Sequence, residues 1–241
     1  IIYSFDDLKN ILLTDEQVKG DFVFDDTFFS QINEIYDGKF NYDFTNKKVA
    51  LIGNSPNLLE KEFGSKIDTY DIVIRCNHSP IKGYEKHVGT KTNFRVLSSK
   101  VFGYDEITSL SKFNHNYLPE LDNQHFIIKM PLNRFPNHSL YGFEKNFKST
   151  NKITVIKDSF QQKIIKNLQN KEPSTGLFAI ILFLSVVEKV DMFGFDFYKN
   201  AGKTKDLHYF EEVGHISSHD FSQEHEIVKS LIEIERVELF L

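Results

Sequence analysis

Seven short apolar runs punctuate the chain from Lys48 onward, at 49–53, 71–75, 93–97, 125–130, 153–156, 189–193 and 237–241. Several are nearly continuous in Val, Ile, Leu and Phe. A strand buried on one face alternates apolar and polar side chains, whereas a run without alternation fits a strand covered on both faces of a parallel sheet. Segments with helical patterning lie between the runs, at 103–113, 159–169, 175–187 and 220–234, so strand and helix alternate. The expected class is α/β, a Rossmann-like, mostly parallel sheet flanked by helices.

The first 45 residues differ. They carry the acidic pairs Asp6-Asp7, Asp15-Glu16 and Asp25-Asp26 and an amphipathic helical pattern near 26–36, with no strong strand before Lys48. An N-terminal helical extension over 1–45, packed on a single domain over 46–241, is expected. The length of 241 residues, with 40% hydrophobic and 26% charged, excludes a disordered or fibrous chain. No apolar run approaches the roughly 20 residues of a membrane-crossing helix, so the chain reads as soluble. It opens on Ile1 rather than Met, which leaves room for an upstream anchor or signal. A net charge of -5 argues against a nucleic-acid partner. Cys76 is the only cysteine, which excludes an internal disulfide and points to a reducing, cytoplasmic setting.

Three segments could carry chemistry. In VALIGNSPNLL (49–59) an apolar run ends at Gly53 and is followed by Asn54, Ser55 and Pro56. The carboxyl end of a parallel strand, with a glycine and then a helical turn, is where anions and nucleotides bind, although the second glycine and the lysine of the familiar phosphate loops are missing. An ordinary strand-to-helix turn reads the same way. In EPSTGLFAIILFL (172–184) Ser174 and Thr175 precede a long apolar helix, where a simple N-cap is the sufficient account and an anion site the additional one. The stretch 207–231 holds His208, His215, His219 and His225. These can be surface histidines on a loop, with Ser217 and Asp220 starting the last helix; they can be catalytic imidazoles; or three of them can be metal ligands.

Taken together, four segments in order resemble glycosyltransferase family 29, the sialyltransferases of animal type. Residues 50–92 are similar to the family's long motif, PSTGLFAIILFLSVVEKVDMFGFD (173–196) to its short motif, HYFE (208–211) to motif III and HDFSQE (219–224) to the H-x4-E motif. The resemblance spans 48–241 and implies a variant A-type glycosyltransferase fold, with 46–241 as one catalytic, nucleotide-sugar-binding domain.

It also implies transfer of sialic acid from a CMP-sialic acid donor to a galactoside-type glycan hydroxyl, with inversion and with neither metal nor cofactor. His219 would be the general base and His208 would stabilise the departing phosphate. Gly53, Asn54, Ser55 and Asn77 would hold the nucleotide. Ser174, Thr175 and Gly176, with Gly194, Phe195 and Asp196, would meet the rest of the donor, and Glu224 would support the site. The chain contains no D-x-D triplet, the paired carboxylates that commonly hold a divalent ion on a diphosphate sugar; a donor with one bridging phosphate has less charge to offset.

Two departures stand out. Val49 and Val187 occupy the positions of the family's Golgi disulfide, so packing would replace the crosslink, as in a bacterial or other reducing-compartment enzyme. Glu172 stands where a donor-contacting Tyr is often found. A lipooligosaccharide or capsule acceptor, and peripheral association with the inner face of a bacterial membrane, are compatible with such an enzyme. The rival readings are a CMP-Kdo-dependent transferase, a non-catalytic CMP-binding protein and a metal hydrolase built on the histidine cluster.

Overall fold

The computed structural model describes residues 42–98, 124–129, 152–156, 158–169, 171–197, 208–210 and 219–241. Seven strands form one sheet: β1 Val49–Ile52, β2 Ile72–Cys76, β3 Phe94–Leu97, β4 His125–Ile128, β5 Lys152–Val155, β6 Val190–Phe193 and β7 Val237–Phe240. Every neighbouring pair is parallel, in the order β5-β4-β3-β2-β1-β6-β7. Among the described residues the helices are α1 Gly64–Ile67, α2 Glu85–Val88, α3 Asp158–Asn167, α4 Thr175–Leu184 and α5 Phe221–Glu233, and a 3-10 turn covers Pro56–Glu60.

Each expected strand is present, trimmed or shifted by one or two residues. The non-alternating composition has the anticipated cause: in β1, Val49 and Leu51 belong to one buried cluster and Ala50 and Ile52 to another. The first cluster contains α4, whose residues Leu177 to Leu184 are all buried as it packs on β2, β3 and β6. A helix apolar all round must be interior. It ends at Leu184 rather than 187, because Ser185 turns its hydroxyl onto the Leu182 carbonyl at 2.5 Å and closes the last turn. Val49 and Val187 are both buried in that cluster, so apolar packing fills both positions. Among the described residues no helix is long and apolar enough to cross a membrane.

Two short helices have no counterpart in the expected pattern, since four residues are too few for a helical period to show. They meet closely: a Cβ on Gly64 would lie 2.1 Å from the Glu85 carbonyl oxygen. Arg75, fully buried in β2, fastens the end of α2 by donating from Nη2 to the carbonyls of Val88, Gly89 and Lys91 and from Nε to Thr92 Oγ1. The helical pattern at 103–113 and nearly all of the extension over 1–45 lie outside the described residues. Of that extension, Tyr42 and Phe44 set their rings 5.1 and 5.9 Å from Phe94.

The strand order places the candidate site. From β1 the chain builds outward through β2 to β5, then returns to place β6 on the other side of β1. Ligands of open parallel sheets bind outside the carboxyl ends of the strands, at the point where the order reverses. Here that point lies between β1 and β6, where Gly53 and Gly194 follow the two strands.

Candidate active site

At the reversal the two loops are in backbone contact. Gly53 N–H donates to the Phe193 carbonyl at 2.8 Å and Ser55 N–H to the Gly194 carbonyl at 3.0 Å. A Cβ on Gly53 would lie 2.3 Å from the Gly194 oxygen. Gly194 itself has φ +72° and faces the Leu58 side chain. The ring of Phe195 covers both Gly53 and Gly176, leaving room for no Cβ on either; Asp196 follows it, partly exposed.

This close packing sets Asn54 at the mouth of β1, 9% exposed. Its Nδ2 makes only a long bond, 3.5 Å, to the Cys76 carbonyl, and its Oδ1 is buried with no hydrogen-bond partner among the described residues. A buried amide oxygen left in that state costs about 1–3 kcal/mol, which a ligand hydroxyl or amine would recover. Ser55, by contrast, is occupied locally, capping the 3-10 turn by accepting from Asn57 N–H. Burial pushes the neighbouring Cys76 thiol up to about 12, so it stays protonated.

Asn77 follows β2 in the left-handed region, φ +55°, a conformation asparagine tolerates better than most residues. Its Oδ1 accepts from Ser98 N–H at 3.1 Å, and its Nδ2 faces Thr175 Oγ1 at 3.5 Å. Its carbonyl is held by the Arg95 guanidinium at 2.7 Å.

Ser174 is the N-cap of α4, its hydroxyl oxygen accepting from Leu177 N–H. Its own amide and hydroxyl donate to the two oxygens of Glu224, at 2.7 and 2.6 Å. The anion at this helix start is therefore the chain's own carboxylate, and Ser174 has both donors committed. Thr175 and Gly176 remain, their amides among the four that a helix leaves without an internal acceptor.

Glu224 is only 3% exposed, and burial raises its carboxyl above the ordinary 4.5 against the opposing effects of the Ser174 bonds and the Lys129 ammonium, while Asp220 adds to the rise. A group raised in the folded state contributes stability that is full below its unfolded value and is lost as the pH rises through the folded one. Glu224→Gln cannot titrate. Melting curves should therefore show its Tm improving relative to wild type as the pH climbs above 4.5; identical pH slopes would contradict the assignment.

His208, Tyr209 and Phe210 lie over the same rim. Tyr209 N–H donates to the Asn54 carbonyl at 2.9 Å and its buried hydroxyl to the Pro80 carbonyl at 2.5 Å. Burial pushes that phenol up to about 12. The His208 ring stacks on Phe210 with centroids 5.3 Å apart, and His78 meets Phe210 edge-on.

His219 stands just before α5, where Asp220 is the N-cap, and its Nδ1 lies 2.7 Å from the Glu172 carbonyl oxygen. A carbonyl only accepts, so Nδ1 carries a proton, and in the neutral ring the lone pair is at Nε2. The Glu172 side chain accepts from Gln161 Nε2 at 2.9 Å.

These contacts form one rim: Tyr209 on Asn54, Asn54 toward the end of β2, Asn77 toward Thr175, Ser174 on Glu224 and Glu172 on His219. Among the described residues no three His, Cys, Asp or Glu side chains gather as a metal ion would require; His215 and Ser217 lie outside them. Lys129, Arg95 and Gln161 belong to this neighbourhood and carry no local signal of it. The only trace is that a cation interrupts or ends an apolar run at 75, 95 and 129.

The model of the family described as glycosyltransferase family 29 (sialyltransferase) matches residues 24–236. A CMP-N-acetylneuraminate-beta-galactosamide-alpha-2,3-sialyltransferase 1 of Gallus gallus is 28% identical over 207 residues, 82% of this chain and 59% of that protein. Sialyltransferase-like protein 2 of Arabidopsis thaliana is 30% identical over 175 residues, 71% of this chain and 35% of its own length. The chain thus spans well under two thirds of these relatives. The crystal structure of a mammalian sialyltransferase in complex with Gal-beta-1-3GalNAc-ortho-nitrophenol superposes with a TM-score of 0.60 at 21% identity, covering 99% of this chain and 89% of that one, and shares the fold. Because the family model matches residues 24–236, well over half of the chain, the chain belongs to glycosyltransferase family 29, the sialyltransferases.

Proposed function

We propose that this chain carries the catalytic centre of a sialyltransferase that moves sialic acid from CMP-sialic acid to a galactoside hydroxyl, with inversion at the anomeric carbon and without a metal ion. The observation that carries the reading is the His219 ring, fixed by the Glu172 carbonyl with its basic nitrogen at Nε2, on the rim that also presents Asn54 and Asn77. Nε2 takes the proton of the acceptor hydroxyl as its oxygen bonds to the anomeric carbon. The bond from that carbon to the phosphate oxygen breaks, and CMP leaves with one more negative charge.

Groups suited to that charge surround the carboxyl ends of β1 and β2. His208 and the first-turn amides of Thr175 and Gly176 would meet the phosphate and the donor's carboxylate. The Asn54 amide, with its unpartnered oxygen, would hold the nucleotide alongside Asn77. Displacement by the acceptor from the face opposite the phosphate inverts the centre, whereas retention by double displacement requires an enzyme nucleophile. The buried Glu224 carboxylate is bound at both oxygens by Ser174, which suits it to support rather than attack.

The test is to supply CMP-sialic acid or CMP-Kdo with lactose in excess EDTA and to measure both CMP release and the glycan product. Sialylated lactose from CMP-sialic acid, undiminished by EDTA, is expected. Activity with CMP-Kdo alone would overturn the donor, loss of activity in EDTA would overturn the metal-free mechanism, and CMP binding without transfer would overturn catalysis.

A further inference from the structure

Glu172, Pro173 and Ser174 are three consecutive residues, each held by a different side chain. The Glu172 carbonyl accepts from His219, the Pro173 carbonyl from Lys129 Nζ at 2.6 Å, and Ser174 donates to Glu224. The Pro173 carbonyl and the Ser174 amide belong to the same peptide unit. That one plane therefore has an ammonium on its oxygen and a carboxylate on its N–H, a charge at each end of the peptide dipole in the favourable sense.

Lys129 directly follows β4 and is 4% exposed, its main-chain amide bound to the Leu97 carbonyl. Lysine is almost never buried this deeply without a specific partner. The Lys129 charge reaches Glu224 and the Cys76 thiol, partly opposing the rise that burial imposes on both, while Asp220 adds to the rise at Glu224.

We propose that Lys129 is a positioning residue for His219, acting through the charge-bracketed 173–174 peptide. The route is short. Proline fixes its own φ, and the residue before a proline is confined to extended backbone. With the 173–174 plane pinned at both ends, the 172–173 plane has almost no freedom left. The Glu172 carbonyl then points one way only, and the imidazole that donates to it is held in one tautomer and one orientation. The role of the ring as a base rests on the proposed sialyl transfer; its orientation by Lys129 does not.

The test uses Lys129→Met, which removes donor and charge, and Lys129→Gln, which keeps a donor without the charge. Both are made in the full chain labelled with 15N-histidine. Long-range 1H–15N spectra read the His219 tautomer without reference to activity, and steady-state kinetics read kcat and the donor KM. Wild type should show the Nδ1–H tautomer. In folded Lys129→Met the two tautomers should mix and kcat should fall about 10- to 100-fold, as for a reacting group displaced by roughly an ångström, while the donor KM moves less than about threefold. The Gln variant should lie between Met and wild type in both readouts.

If the Met variant does not fold, the Gln variant carries the test alone. A folded variant with wild-type tautomer and kcat overturns the proposal, and so does failure of both variants to fold, which would make Lys129 a stability residue. A tautomer change in a protein whose wild type transfers no sugar supports the positioning role and refutes the sialyl-transfer reading instead.

Discussion

His219→Ala should lower kcat by about 10²–10⁴-fold, the range for loss of a general base, while CMP affinity stays within about threefold of wild type. The asymmetry follows from where the ring is tied. Nδ1 is bonded to the Glu172 carbonyl, and Nε2 is the nitrogen proposed to take the acceptor proton. The proposed nucleotide contacts belong to other loops, those of Asn54 after β1 and Asn77 after β2. His219→Gln separates two parts of the role, since its amide can still donate to Glu172 but has no basic nitrogen, and it should be as inactive as alanine. Turnover near wild type in either variant, or a matching collapse of CMP affinity, would remove His219 from the role of base.

Gly53→Ala should damage both stability and donor binding. The added methyl carbon would sit 2.3 Å from the Gly194 carbonyl oxygen and 2.9 Å from the Phe195 ring. The ring can turn, but that oxygen accepts from Ser55 N–H, and Gly53 N–H in turn holds the Phe193 carbonyl, so the ends of β1 and β6 must separate. Overpacking of this kind costs about 1–3 kcal/mol. It also displaces Asn54, and a shift of roughly 1 Å in a positioning group should weaken CMP binding by about tenfold or more. Gly83→Ala is the control. Gly83 has φ +87° with nothing within 4 Å, so alanine there brings only backbone strain of about 1–2 kcal/mol and should leave CMP affinity unchanged. Equal CMP affinity in the two variants would contradict the close packing at the reversal point.

The sheet was legible because its strands are buried on both faces, which removes the alternation that would otherwise confuse a strand with a loop. VALI and FRVL announce themselves in this way, although Arg95 within FRVL is a fully buried cation that no pattern explains. The helices GSKI and EKHV were invisible, since one turn has no period.

At the site, local sequence indicated little more than a glycine after a strand and a serine before a helix. Asn77 became a candidate only through the family resemblance, which also picked His208 and His219 out of a cluster of four histidines that could equally have been a surface loop. The Glu224–Ser174 and Lys129–Pro173 contacts were beyond reach for a physical reason. They join residues 50 and 44 positions apart, and a side chain meets such a partner only once β4, α4 and α5 are assembled. Ser174 shows the consequence: read alone, its hydroxyl and amide face an incoming anion, but in the folded chain they hold Glu224.

In the proposed enzyme the loops after β1 and β2 and the starts of α4 and α5 enclose one CMP-linked sugar acid, with His219 on the acceptor side. A crystal structure with a non-transferable fluorinated CMP-sialic acid tests this directly. The nucleotide should lie within hydrogen-bond distance, about 3 Å, of Asn54 and Asn77, with the Nε2 of His219 facing the anomeric carbon. A donor bound away from the carboxyl ends of β1 and β2, or oriented with its phosphate toward His219 and its sugar away, would contradict it.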